Sequence, residues 1–215
     1  MKNLIFAFDM VCIETQVFPP TLLFILATED KILIETNENY QKRSFRNRYY
    51  IGQDQNLFHL TIPLIQGKNE QMAIRDVKIS YTDGWPAQHL KALQSTYGKS
   101  PYFSFYKDEL NELLNKRETF LIDFNSNCLQ WIIRTLKVSV NISSTDTYQK
   151  EYKTDVTDLR SKFIPFTLSE KLLPKIPGLS MRPQCISILD QIFFMGPETM
   201  NWIYQTRPLN SNSVL

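Results

Sequence analysis

Residues 4–36 read LIFAFDMVCIETQVFPPTLLFILATEDKILIET, and this stretch decides the fold class. Leu4 to Phe8 is a short apolar run that predicts a buried strand. Phe18-Pro19-Pro20-Thr21 then punctuates the chain where a helix begins. Proline suits that position because its missing N–H would have no partner in a first helical turn anyway. Thr21 to Thr28 is apolar and predicts a short helix, and Lys31-Ile-Leu-Ile-Glu35-Thr36 predicts the next strand. Strand, short helix and strand within about 35 residues mark a βαβ unit, whose strands run parallel.

Outward from this unit, Arg48 to Ile51 reads as a further strand. Leu57 to Ile65 alternates, with Phe58, Leu60, Ile62 and Leu64 on one face and His59 and Thr61 on the other. Val77, Ile79 and Tyr81 alternate with Asp76, Lys78 and Ser80, so the two segments predict an antiparallel pair joined by a loop through Gly67. The second half is helical. Pro86 and Gly98 bracket a helix with Leu90, Leu93 and Tyr97 on one face and His89 at its shoulder. Phe103, Tyr106, Leu110, Leu113 and Leu114 form a second amphipathic stripe. Leu129, Ile132, Ile133 and Leu136 belong to a third helix that Asp123 or Asn125 would cap. Val138 to Ile142 predicts a strand, 143–162 a polar loop and 165–183, with four prolines, irregular structure. Ile186 to Met195 reads as buried, and Gly196-Pro197-Glu198 ends it and opens a last helix through Ile203. The fold class is α/β: a mixed sheet opening with a βαβ unit, an added antiparallel hairpin and a helical second half. Residues 1–208 read as one domain and 209–215 as a frayed polar tail.

Composition excludes several functions. At 43% hydrophobic and 21% charged, the chain buries a real core and is not a disordered tail. Its 24 basic and 22 acidic residues leave a net charge of +2, without the broad basic face of a phosphate-tracking nucleic-acid protein. Six glycines leave little room for a repeat fold or a glycine-rich phosphate cradle. The N-terminus lacks a secretory pattern, and Leu22 to Ala27 is the longest uninterrupted apolar run, against about 20 residues for a membrane span. A soluble, cytoplasmic protein is expected. Cys12, Cys128 and Cys185 are widely spaced and read as buried, reduced thiols.

The segment Glu35-Thr-Asn-Glu-Asn-Tyr-Gln-Lys-Arg-Ser-Phe-Arg-Asn-Arg-Tyr-Tyr50 follows directly from the end of a predicted parallel strand. Ligands of α/β sheets bind beyond that end. Lys42, Arg43, Arg46 and Arg48 are interleaved with Tyr40, Asn47, Tyr49 and Tyr50. Guanidinium groups hold phosphate or carboxylate oxygens in pairs, and aromatic faces hold a planar or sugar ring. An anionic small-molecule site is therefore expected, with a basic surface turn as the plain alternative. Glu35 and Glu38 suit acid–base work, and suit better the pairing of these arginines. Trp85-Pro-Ala-Gln-His89 is a second candidate, in which His89 is either a general base or a hydrogen-bonded structural group. Asp190 sits in a very apolar stretch and needs a partner, an arginine of the basic segment or Arg160. Two histidines exclude a His-rich metal site, and no metalloprotease, P-loop, dinucleotide or serine-elbow motif occurs. No cofactor is identified.

Phe18-Pro19-Pro20, Glu35, Asn39-Tyr40-Gln41-Lys42-Arg43-Ser44-Phe45-Arg46-Asn47-Arg48, Ile62-Pro63, Asp76 to Tyr81, Trp85 with His89, and Tyr97-Gly-Lys-Ser-Pro101-Tyr-Phe103 together resemble the WbqC-like family. Asp123-Phe-Asn125, Asp158-Leu-Arg160, Ser187-Ile-Leu-Asp190 and Met195-Gly-Pro-Glu198 continue the series in order, the last string resembling members from Bacteroides-type bacteria. The family is associated with bacterial surface-polysaccharide gene clusters, O-antigen among them, and its biochemical activity is poorly defined. The resemblance implies that Tyr40, Lys42, Arg43, Arg46, Asn47 and Arg48 form a ligand site joined by Trp85 and His89. Four polar family positions are replaced: at Thr21-Leu22-Leu23, in Pro165-Phe166-Thr-Leu168-Ser, at Cys185 and at Phe194. These departures imply altered specificity, or binding retained without turnover.

The leading expectation is a cytoplasmic transferase-like protein of surface-glycan biosynthesis. It would bind a sugar phosphate or nucleotide sugar and transfer an acyl or aminoacyl group, as to an amino sugar. Arg43, Arg46 and Arg48 would neutralise phosphate, Tyr40 and Asn47 would orient the sugar or base, His89 would take a proton and Glu35 would hold its partner. The alternatives are a non-catalytic binding or scaffold protein of the same pathway and, last, nucleic-acid binding.

Overall fold

Met10-Val-Cys-Ile-Glu14 is strand β1 of the computed structural model, which describes residues 10–26, 31–53, 56–65, 72–152, 156–162 and 185–206. The predicted strand Leu4–Phe8 lies outside those residues. From β1 the chain crosses through helix α1 (Thr21–Leu26) to β2 (Lys31–Glu35), which pairs parallel with β1, Ile13 opposite Ile34 and Glu14 opposite Glu35. The βαβ opening is therefore present. Val11, Cys12 and Ile13 are all buried, as in a parallel strand covered on both faces.

Two further strands complete a wholly parallel sheet. β5 (Asn141–Ser144) pairs with β2, and β6 (Val156–Asp158) pairs with the other side of β1, giving the order β5-β2-β1-β6. β5 lies a few residues beyond the predicted Val138–Ile142. β6 falls inside the stretch read as loop: it is three residues long, at a sheet edge, with no apolar run to announce it. The strand order changes direction at β1, between β2 and β6, which makes the carboxyl ends there a topological switch point.

Between β2 and β5 the chain builds the rest. β3 (Arg48–Gln53) and β4 (Asn56–Thr61) form a separate antiparallel hairpin, Tyr50 opposite His59. The predicted pairing of residues 57–65 with 77–81 survives as a short bridge, Leu64 to Ile79, while β4 takes β3 as its main partner. Helices α2 (Trp85–Tyr97), α3 (Phe103–Asn115) and α4 (Leu121–Leu136) follow, and α5 (Ile188–Met195) and α6 (Thr199–Thr206) close the described chain. Asp123 and Asn125 lie inside α4 and cap nothing, because the helix starts at Leu121 with Phe120 before it. Ser187 does cap α5, its side chain accepting from the Leu189 N–H. The core joins both halves: Phe18, Tyr49, Trp85, Tyr97, Phe124 and Phe193 are nearly or wholly excluded from solvent. Cys12, Cys128 and Cys185 are free and buried. No helix among the described residues is long and apolar enough to cross a membrane. Residues 165–183 and the polar tail lie outside the described residues.

Candidate functional site

Three of the four parallel strands end on a carboxylate: Glu14 on β1, Glu35 on β2 and Asp158 on β6. Buried carboxylates need partners, and two arginines supply most of them. Arg160 donates from Nε and Nη2 to Asp158 at 2.9 and 2.6 Å and from Nη1 to Glu35 Oε2 at 2.9 Å. The other Glu35 oxygen accepts from Thr145 Oγ1 and the Asn37 N–H, both at 2.8 Å. The Arg160 guanidinium also lies over the rings of Tyr152 and Tyr148, at 4.8 and 5.4 Å. Burial alone would raise the Asp158 pKa, but the side-chain and backbone hydrogen bonds of Arg160 outweigh it and hold it below the ordinary value.

Arg46 is the second cation, with no exposed surface. Its Nε and Nη2 each donate to Glu38 at 2.6 Å, and Nη2 also reaches Ser161 Oγ at 3.2 Å. Burial pushes the Glu38 carboxyl up, while the hydrogen bond and charge of Arg46 pull it down; the net shift is upward. Ser161, left-handed at φ 54°, donates its N–H to Glu14 Oε2 at 2.9 Å and its hydroxyl to Gln41 Oε1 at 3.2 Å. Asn125 Nδ2 donates to the Arg46 carbonyl at 2.9 Å.

Beside this ion-pair network lies a cavity of about 360 Å³. That is within the ~300–1,000 Å³ usual for small-molecule sites. Ile13 and Ile34 on adjacent strands, Ile142 on β5, and Ile122 and Leu129 on α4 form its apolar wall. Glu14, Gln16 and Asn125 line it as well, and there the hydrogen bonding stops. Glu14 Oε1, both amide atoms of Gln16 and Asn125 Oδ1 are buried with no hydrogen-bond partner among the described residues, although the three side chains are only 1%, 4% and 1% exposed. Arg46 Nη1 is likewise without a hydrogen bond, 4.0 Å from Glu14 Oε1. A folded protein leaves few such groups; five of these atoms belong to Glu14, Gln16, Asn125 and Arg46, and others sit elsewhere, as on Thr21, Thr61 and Trp85.

The basic segment divides. Arg46 turns inward. Tyr40 donates to Asn47 Oδ1 at 2.8 Å and Asn47 Nδ2 to the Ile62 carbonyl at 3.0 Å, so the pair is buried and joined to the β4 side of the fold. Arg48 is half-buried next to Tyr50 and lowers its pKa against the larger upward push of burial. Lys42 and Arg43 are exposed and, with Tyr40 and Gln41, line a shallow depression. Gln41 connects that depression to Glu14 through Ser161.

His89 and Trp85 stand in the α2 core. His89 Nδ1 meets the Tyr49 hydroxyl at 3.1 Å and Nε2 meets the Thr61 carbonyl at 3.3 Å, which assigns the proton to Nε2 and makes Nδ1 the acceptor. Burial pushes its pKa down to about 4. Trp85 stacks on Tyr81 and meets the His89 ring edge-on at 4.9 Å. Neither residue lines the cavity. Asp190 is buried in the first turn of α5, where Gln191 Nε2 reaches Oδ2 at 3.4 Å; Arg46 and Arg160 are engaged elsewhere. Among the described residues no three His, Cys, Asp or Glu side chains come together to hold a metal ion.

Glu14 and Gln16 were not singled out from the sequence, and Asn125 only as a helix cap or as part of a family string. The usable signal is the polar string Glu14-Thr-Gln16 directly after an apolar strand and before the two prolines.

Residues 17–164 match the model of the WbqC-like protein family. The match spans Glu35, Glu38, Arg46, Asn125, Asp158 and Arg160, and Glu14 and Gln16 immediately precede it. An uncharacterized protein of Mycobacterium tuberculosis (strain ATCC 25618 / H37Rv), Rv1507c, is 30% identical over 127 residues, 58% of this chain and 54% of that protein. The chain thus spans about half the length of the curated relative it matches. No solved structure matches.

Proposed function

The chain belongs to the WbqC-like protein family, and from that premise we propose a transferase-like protein of bacterial surface-polysaccharide biosynthesis. It holds the sugar of a phosphorylated or nucleotide-linked ligand in the cavity at the strand ends and works in the cytoplasm. The observation that carries this reading is the polar side chains of Glu14, Gln16 and Asn125 in the lining of that cavity, each with a buried atom that has no hydrogen-bond partner among the described residues. A carboxylate, a primary amide and an amide carbonyl against an apolar wall suit a polyhydroxylated ring. Arg43 and Lys42, exposed beside Gln41, would meet phosphate oxygens outside the cavity.

Glu14 is the group that takes a proton from the attacking atom when an acyl or aminoacyl group is transferred. Glu35, with both oxygens engaged, holds Arg160 and the Thr145 segment in place. His89 holds α2 against Tyr49 and β4.

Calorimetric titration with UDP-hexoses, hexose 1-phosphates and UDP alone tests the proposal. The sugar-bearing ligands bind; Gln16→Leu weakens their binding by at least about tenfold, and Arg43→Ala weakens it with the fold unchanged. Absence of binding by every sugar ligand, or binding indifferent to Gln16→Leu, refutes it. Binding without turnover of any acyl thioester in the presence of these sugars selects the non-catalytic alternative, which the fully engaged His89 and Glu35 favour.

A further inference from the structure

We propose that the ligand carries a small aliphatic group and that the isoleucine wall of the cavity, Ile34, Ile122 and Ile142, receives it. This deepens the sugar-binding reading of the same cavity and rests on it: the ring lies towards Glu14, Gln16 and Asn125, and its aliphatic substituent lies on the isoleucines.

The register of the sheet builds one side of this wall. Ile13 on β1 stands opposite Ile34 on β2, and Ile34 stands opposite Ser144 on β5. Ile142, two residues before Ser144, therefore shares their sheet face. Helix α4 builds the other side, where Ile122 and Leu129, seven residues apart, fall on one helix face. Ile13 and Leu129 are buried, but Ile34 and Ile122 are half-buried and Ile142 is 36% exposed. These three keep apolar surface inside a concavity, where a ligand can cover it.

The rest of the lining narrows the chemistry. Among the described lining residues there is no aromatic ring and no lysine, arginine or histidine. A nucleobase would have no ring to stack on, and a phosphate no cation to meet. Glu14 is the one charged side chain among them and is almost wholly covered, and the exposed polar ones, Ser126, Gln130, Ser143 and Ser144, are all neutral. A hydroxyl pressed against the isoleucines would lose its water and find no partner there, whereas a methyl or methylene group loses nothing. Size sets the upper limit. At about 30 Å³ for each water-sized group, the cavity of about 360 Å³ admits a sugar ring with a substituent of a few carbons and no long chain. Two sources offer such a group: a ring carbon that has lost its hydroxyl, or a short acyl chain on the sugar.

The test is calorimetric titration in two arms with the nucleotide held constant. One compares UDP-glucose with UDP-6-deoxyglucose. The other compares UDP-glucosamine bearing N-acetyl, N-propionyl and N-butyryl groups. Affinity rises about fourfold for each carbon buried, in the first arm for a deoxy ring carbon and in the second for an acyl chain. Ile142→Asn, at the end of the sheet on an exposed strand, removes that gain with the fold unchanged. Sugars that bind within about twofold of one another in both arms overturn the inference and leave the sugar site standing. A gain that Ile142→Asn leaves intact, or tighter binding of UDP-glucose than of its 6-deoxy analogue with no gain along the acyl series, overturns it as well. If no UDP-sugar binds, the proposed function fails first. A crystal soaked in isobutanol then decides the inference: alcohol carbons within about 4 Å of the Ile34 and Ile142 side chains support it, and water alone there overturns it.

Discussion

Replacing Gln16 by leucine separates what the cavity does for the fold from what it does for a ligand. The Gln16 side chain is 4% exposed, and neither amide atom has a partner among the described residues. A buried polar group left unsatisfied costs about 1–3 kcal/mol. Leucine has nearly the same volume and suits a wall that already holds Ile13, Ile34 and Leu129. Without ligand, Gln16→Leu is therefore expected to stabilise the protein by about 1–3 kcal/mol, at about 2–4 °C of melting temperature per kcal/mol in a chain of this size. The same change removes hydrogen bonds to a bound sugar, and affinity for UDP-hexoses falls by at least about tenfold. Urea unfolding with a constant m value gives the first quantity and calorimetry the second. A variant that is less stable than the wild type, or equally stable, refutes the reasoning. The amide would then be satisfied in the free protein, and its burial would need no ligand to explain it.

The buried imidazole of His89 makes stability depend on pH. Its pKa is near 4 in the fold, against about 6.5 unfolded, so between these values the unfolded chain binds the extra proton and stability falls as pH falls. The loss is about 3 kcal/mol across that window; His89→Gln flattens it, and urea midpoints at pH 7 and 4.5 that decline equally in variant and wild type contradict the assignment. Arg160→Met leaves Glu35, with no exposed surface, facing no cation and is expected to cost about 3–5 kcal/mol. Recovery of part of that loss by adding Glu35→Gln, read by thermal melting, distinguishes a stranded charge from lost packing. Lys137 ends α4 in the left-handed region at φ 54° and is exposed. Lys137→Gly is thus expected to raise stability by up to about 1 kcal/mol, and a lower melting point counts against it.

How much of this was legible in the residues differs by element. β2 and the long helices announce themselves by apolar spacing and by Pro86 and Gly98. β1 does not, because Met10–Glu14 ends in a buried carboxylate and stands beside the more apolar Leu4–Phe8. β6, Val-Thr-Asp, is an edge strand specified by its pairing with β1 and not by its own composition. Segment 35–50 stands out by its place after a parallel strand, and of the two carboxylates expected to pair with its arginines Glu38 does so, with Arg46, while Glu35 pairs with Arg160 outside the segment. Which arginine turns inward was not legible, since Arg43, Arg46 and Arg48 are chemically equivalent until the backbone places them. Gln16 is silent for a deeper reason: a neutral amide becomes informative only when it is known to be buried and unpartnered, which is a property of the tertiary structure.

The closed ion pairs and the open polar atoms explain each other. An arginine already held by a carboxylate in two places at 2.6 Å is a poor phosphate ligand, because a phosphate would have to displace that carboxylate inside the protein. Arg46 and Arg160 therefore act as struts: one links segment 38–46 to Ser161, the other links β2 to β6. Rigid struts are what allow Glu14 and Arg46 Nη1 to stay 4.0 Å apart instead of closing into a hydrogen-bonded pair. Pre-organisation of this kind is favourable when a ligand completes the bonding, since the ordering cost has been met during folding. In the proposed reading the same division would leave neutral hydroxyls to the cavity and phosphate to Lys42 and Arg43, in the depression that Gln41 ties to the strand ends.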